Sequence, residues 1–451
     1  MSICNDVVSY AKKLNIDECE AILCTKKILT VRITDSEITE IKENFVKSIG
    51  IRIIHGKKIS SLESTLLDPK KIVDEALKST RNLTRREFWK SLPLNPKMST
   101  VEKTNDPRVW ELDSAKVSEI ANQMIDAASH KLVNRISGSL NVVCDDFELE
   151  NSNGMQRVER ATYLSAVINA DSEAGSVPVS GIGQANSRML GDFDAAGVGK
   201  EAMQMCISSI NPQNCDAGKT NIIFEPIAIG ELLTFVFGPN FNLKTFSDKR
   251  SCFAEKYGAK IAVEEFNLLD DPHTPNGLGT KSFDDEGLAT KKTPFVEDGT
   301  FVGTYSDSYN AFKENVEPSA NACRPGSPLG RSSEPVPIAA PHNLTIKSGK
   351  ISRDEVIRDT KNGILISRLW YTYAVNPIKG DFSCTARSGI WTIQNGELKS
   401  PAKSVRIIHN LPVLLQNITH IANNTRTVLP WAAMPVTAPT LRCDGISINP
   451  I

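Results

Sequence analysis

The six histidines, His55, His130, His273, His342, His409 and His420, are the first residues to test for chemistry. A helix-borne zinc site for hydrolysis needs two histidines about four residues apart, with a glutamate beside one of them to activate water. No two of these histidines are close enough to share a helix turn, and none is followed by glutamate. The ten cysteines are widely scattered, none forms Cys-x-x-Cys, and no pair of them has a histidine pair nearby. They read as reduced thiols, several of them buried. One metal reading survives this count, a non-helical site assembled from distant ligands such as His342, His409, Cys384 or Cys443.

Other catalytic signatures are missing. There is no Gly-x-x-x-x-Gly-Lys-Ser/Thr phosphate loop and no Gly-x-Ser-x-Gly nucleophile turn. Gly181-Ile182-Gly183 lacks the third glycine of a dinucleotide loop, so the pair reads as strand or turn glycines. The acidic run Asp284-Asp285-Glu286 could bind a cation through its carboxylates. Neighbouring residues on a turn or strand rarely converge on one ion, so a solvated turn is expected there and at Asp145-Asp146.

The elements that must position any site follow from periodicity. Val7, Val8, Ala11 and Leu14 recur at helical spacing, with Asp6 as the expected cap. Strand-like runs follow at residues 21–23, 29–33 and 49–53, the last alternating Ile49, Ile51 and Ile53 with Gly50 and Arg52. Asp68-Pro69 marks a second helix start. A helix over residues 113–130 carries Val117, Ile120, Ala121, Met124 and Ile125 on one face, and His130 is expected to close it. Strands near 140–144 and 162–170 flank the turn Asn151-Ser152-Asn153-Gly154, and a helix over 195–208 ends that unit.

From Thr220 onward the chain is strand-rich, apart from a buried helix of about three turns expected over residues 227–237. Residues 321–342, with five prolines and two glycines, form an irregular stretch that is a candidate functional loop; a plain surface connection is the competing reading. Ser352-x-x-Glu355 reads as a capping box before a strand over 364–373. The fold expectation is multidomain α+β: an N-terminal helix–meander–helix unit over 1–90, a central α+β unit over 108–212 and a strand-rich unit over 220–451.

At 451 residues the chain is long enough for two or three domains. Its 52 basic and 53 acidic side chains leave a net charge of -1, which gives no long-range attraction to nucleic acid or an anionic membrane. No apolar run approaches the roughly 20 residues of a bilayer span, and the start has no secretory pattern. A cytoplasmic protein with neither nucleic-acid nor membrane partners is expected.

Several ordered motifs resemble the TldD/PmbA family, whose PmbA-like members are also called TldE. They are Phe283-Asp284-Asp285-Glu286-Gly287-Leu288-Ala289-Thr290, Val296-Glu297-Asp298-Gly299 and Ser308-Tyr309-Asn310-Ala311. Near the end, Gly380-Asp381-Phe382-Ser383 precedes Gly389-Ile390-Trp391-Thr392-Ile393-Gln394-Asn395-Gly396-Glu397. The resemblance implies a metallopeptidase complex in which a catalytic TldD-type subunit carries His-Glu-x-x-x-His and a late cysteine on zinc. Here the corresponding helix contains Gly230, Glu231 and Thr234 without either histidine, and the cysteine position falls near Trp431. The resemblance therefore implies a PmbA/TldE-type subunit with no catalytic or metal residue of its own and no cofactor. Its expected partners are a zinc-bearing TldD-type subunit, in a heterodimer, and unfolded peptides. Two alternatives remain: a peptidase in its own right with a non-helical metal site, and a regulatory binding protein of the gyrase-modulator type.

Overall fold

In the computed structural model, which describes residues 2–430 and 434–451, helix α1 (Ile3–Lys13) opens on Ser2. The Ser2 hydroxyl accepts from the Asn5 amide, so Asp6, the expected cap, lies inside the first turn instead. The meander follows as β1 (Glu18–Thr34), β2 (Glu37–His55) and β3 (Lys58–Ser64). Asp68 caps α2 (Pro69–Thr80) by accepting from the Lys70 and Lys71 amides, with proline at the first helical position. After the short α3 (Pro107–Trp110), Asp113 caps α4 (Ser114–Ala128). His130 falls beyond that helix, and its Nδ1 accepts from the Leu132 amide at 3.2 Å. It shapes a turn rather than meeting the helix dipole. The unit ends with β4 (Arg135–Asn151), β5 (Gln156–Ser172), β6 (Val179–Ser187) and α5 (Ala195–Ser208).

These strands form one antiparallel sheet in the order β3-β2-β1-β4-β5-β6. β1 pairs with β2 on one side and with β4 on the other, so stretches 1–90 and 108–212 share a single sheet. Alternation along β1 sorts its faces. Cys19 and Ala21 pack with α1 and α2, while Leu29, Val31 and Ile33 pack with α4 and α5. The even positions Ile22 and Cys24 face Phe147 and Phe283 on the opposite side. Two strand runs were expected where one 17-residue strand exists, because Lys26 and Lys27 interrupt the apolar pattern. Both lysines are bound: Lys26 Nζ donates to the Leu329 carbonyl at 2.5 Å and Lys27 Nζ to the Leu112 carbonyl at 2.6 Å. Gly183 of β6 lets α5 lie directly on the sheet, since a Cβ there would sit 2.0 Å from the Val198 carbonyl oxygen.

Among the described residues the remainder builds a 13-stranded mixed sheet. Its central strand β7 (Gly218–Phe224) pairs in parallel with Asn362–Ile366 and antiparallel with Val436–Pro450. The capping box at Ser352 and Glu355 is complete in both directions. The strand expected over 364–373 is two strands, Asn362–Ile366 and Leu369–Asn376, parted at Ser367-Arg368. The architecture is multidomain α+β. Among the described residues no helix is long and apolar enough to cross a membrane.

Candidate functional site

Glu225-Pro226 starts α6 (Pro226–Leu232), whose seven residues are all buried. The chain then continues as a π-helical turn, Leu233–Phe237, and a 3₁₀ turn, Gly238–Phe241, so the expected three-turn α-helix is α-helical only through Leu232. A π turn shifts side chains around the axis and often marks a site. Gly230 packs without space to spare: a Cβ would lie 2.4 Å from Val428 Cγ2 and 3.1 Å from Val436 Cγ2.

Glu231 is 7% exposed. Burial raises its carboxyl to about 7, against the pull of the Arg368 charge. Arg368 is itself buried, which lowers it to about 10 while Glu231 opposes the change. Its guanidinium lies 3.9 Å from the Trp370 ring centre, a cation–π contact. The Thr234 hydroxyl is buried with no partner among the described residues. Thr234 also lines a cavity of about 280 Å³, walled by Tyr163, Leu278, Cys323, Leu329 and His342.

The proline-rich stretch 321–342 supplies much of this cavity. It folds back as a two-stranded pair, Ala322–Cys323 against Ile338–Ala339, and contributes Cys323, Leu329, Arg331 and His342 to the wall. His342 Nε2 lies 2.9 Å from the Ala320 carbonyl oxygen. Burial lowers the His342 pKa, so a neutral ring is favoured. Trp431 lies outside the described residues.

The acidic run is not a solvated turn. Asp284, Asp285 and Glu286 are no more than 1% exposed, and each is held by protein donors. Arg52 donates to Glu286 at 3.0 Å and to Glu20 at 3.2 Å, and Arg324 reaches Glu20 at 2.6 Å. Asp285 accepts from Arg331 Nε at 2.7 Å, from the Arg324 amide at 2.6 Å and from Lys281 Nζ at 3.0 Å. Arg331 also pairs with Glu159 of β5. Burial by itself would raise Asp285, but Lys281 and Arg331 outweigh it and hold the carboxyl well below the usual range. Asp145 is likewise fully buried, accepting from the Arg331 amide at 2.8 Å. The run locks the first sheet to the second unit, because Arg52 of β2 reaches Glu286 while Arg324 and Arg331, held on Asp285, reach Glu20 and Glu159 of the first sheet.

Zinc does not fit at the α6 helix. Packing closes the position of Gly230, the nearby thiol of Cys384 is raised by burial, and Arg368 already places a cation beside Glu231. More widely, no three His, Cys, Asp or Glu side chains gather to hold a metal among the described residues. That count includes His342, His409, Cys384 and Cys443. Sequence reasoning placed Gly230, Glu231 and Thr234 on one helix but missed Arg368. A charged residue inside the apolar run 364–373 was its available signal.

Comparison with known proteins agrees with this architecture. Residues 217–450 match the PmbA/TldA metallopeptidase C-terminal domain, and residues 19–80 match PmbA/TldA metallopeptidase domain 1. A metalloprotease of Methanothermobacter thermautotrophicus is 24% identical, aligning 89% of this chain with 87% of its own length. Metalloprotease PmbA of Escherichia coli is 23% identical over 94% of this chain and 92% of its own. The crystal structure of TldE from Thermococcus kodakarensis superposes with a TM-score of 0.90 at 23% identity, covering 99% of this chain and 100% of that one. With more than half its length matched, and its motif order explained by the fold, this chain belongs to the PmbA/TldD family.

Proposed function

We propose that this chain is the non-catalytic, PmbA/TldE-type subunit of a two-subunit metallopeptidase that degrades or processes unfolded peptides in the cytoplasm. The observation that carries the reading is the packing of α6. Where a catalytic helix would present imidazole, Gly230 meets Val428 and Val436, and the remaining carboxylate, Glu231, faces an arginine. A zinc-bearing TldD-type partner would supply the hydrolytic water, and this chain would shape the cavity that admits peptide. Sheet edges support that role: among the described residues Leu369–Asn376 pairs with one neighbour, Asp381–Ala386, leaving backbone groups able to hold an extended peptide by strand addition.

The test mixes the purified chain with a TldD-type partner and follows cleavage of an unfolded peptide. The expected result is activity in the mixture and none in this chain alone. Full activity in the partner alone would sink the reading. Cleavage by this chain alone, lost on chelation with about one zinc per chain, would favour a peptidase in its own right.

A further inference from the structure

Arg368 lines a cleft of about 740 Å³ that opens between the first sheet and the second unit. Its walls carry four cationic side chains, Arg135, Arg368, Arg387 and Lys403, against two side-chain carboxylates, Asp171 and Glu173, and Ile451, the last residue of the chain, also lines it. Arg135 is occupied by Asp35 at 3.0 Å. The other three make no side-chain hydrogen bond or ion pair among the described residues.

Arg368 is the anomaly. It is 4% exposed, and an arginine cannot shed its charge as a buried lysine can. A buried cation is normally paired, because leaving it alone forfeits hydration without replacement. Glu231 acts on it through space without a direct ion pair, and burial favours the neutral form of that carboxyl. The Trp370 ring covers one face of the guanidinium, and its in-plane donors face the cleft without a hydrogen bond among the described residues. Beside it, Ser388 is 5% exposed with a hydroxyl that has no partner among the described residues. A buried fork, a free hydroxyl and two unpaired cations on one cleft together form the donor set of an oxyanion site.

We infer that the cleft walled by Arg368, Arg387, Ser388 and Lys403 binds the oxyanion of a small ligand, a carboxylate or a phosphate. Arg368 and Ser388 form its floor. Arg387, which is exposed, and Lys403 close over the bound group from the rim. The four donors lie on the second unit and do not depend on a peptidase partner, so the test is a binding measurement on the isolated chain.

Calorimetric titrations use inorganic phosphate, a short unfolded peptide with a free C-terminus and the same peptide amidated. One saturable site is expected for phosphate, for the free-carboxylate peptide or for both, and the amidated peptide separates the two sources. Arg387→Gln leaves packing and pairing intact and weakens binding roughly tenfold or more. Arg368→Gln abolishes it if the variant folds, and if it does not fold the Arg387 variant decides. Absence of saturable binding by both anions, or equal affinity in Arg387→Gln and the native chain, overturns the inference.

Discussion

Replacing Asp285 with asparagine tests whether the acidic run braces the two units. The side chain is fully buried and accepts from Arg331, Lys281 and the Arg324 amide. Asparagine keeps the size and one acceptor oxygen but removes the charge and turns an NH₂ toward those donors. Arg331 retains Glu159, whereas Lys281 loses its carboxylate. Breaking a buried pair by removing one partner costs about 3–5 kcal/mol. The surviving contacts place this change near the lower end, about 3 kcal/mol, a large share of the roughly 5–15 kcal/mol that stabilises a folded domain. The charge also sets a pH dependence. The folded carboxyl titrates below its unfolded value, so its stabilisation is complete above about pH 4 and is lost as pH falls through the folded value. Urea unfolding followed by tryptophan fluorescence and by far-ultraviolet circular dichroism measures both the loss and its character. The variant is expected to unfold at lower urea and with transitions that no longer coincide, because Arg324 and Arg331, which reach Glu20 and Glu159 of the first sheet, lose the carboxylate that holds them in place. Lys249→Gln, which removes an exposed pair with Glu255, is the control and should change nothing measurable. A loss below about 1 kcal/mol with coincident transitions would place Asp285 among ordinary surface charges and refute the brace.

The carboxyl of Glu231 is raised from 4.5 to about 7, so between those values the native state holds more protons than the unfolded one. Its contribution therefore falls as pH rises through that window, by up to about 3 kcal/mol. Glu231→Gln should flatten the decline in urea-derived stability between pH 5 and pH 8, and parallel curves for variant and native chain would contradict the assignment. Rebuilding the zinc motif with Gly230→His and Phe235→His should leave the chain destabilised and without stoichiometric zinc by mass spectrometry, because Val428 and Val436 occupy the space. Tight zinc binding in that variant would show that the packing yields. Gly183→Ala should cost about 1–3 kcal/mol by pushing α5 off the sheet, and a neutral result in thermal unfolding would contradict the close approach.

What could be read from the sequence was local. Asp68, Asp113, Ser352 with Glu355, and the helix over 195–208 work through neighbours within four positions, and the structure places them as periodicity and capping chemistry require. What could not be read depends on residues far apart in the chain. Arg324 meets Glu20 across 304 positions and Lys26 meets Leu329 across 303, so an acidic run or a lysine pair looks like solvated surface until the fold buries it. Arg368 is the same case, a charge inside a strand-like run whose meaning comes from Glu231 and from a cleft that two units share. The motif that carried the resemblance, Phe283 through Gly287, illustrates why fold was more legible than chemistry. Phe283 packs beneath β1 and the Arg331 guanidinium, and Gly287 turns at φ +90° with its carbonyl on Arg157. Phe283, Glu286 and Gly287 meet the first sheet, and Asp284 and Asp285 hold the second-unit segments that face it. A sequence that keeps this joint specifies the architecture whether or not α6 carries histidines, so catalytic status had to be argued from the helix alone.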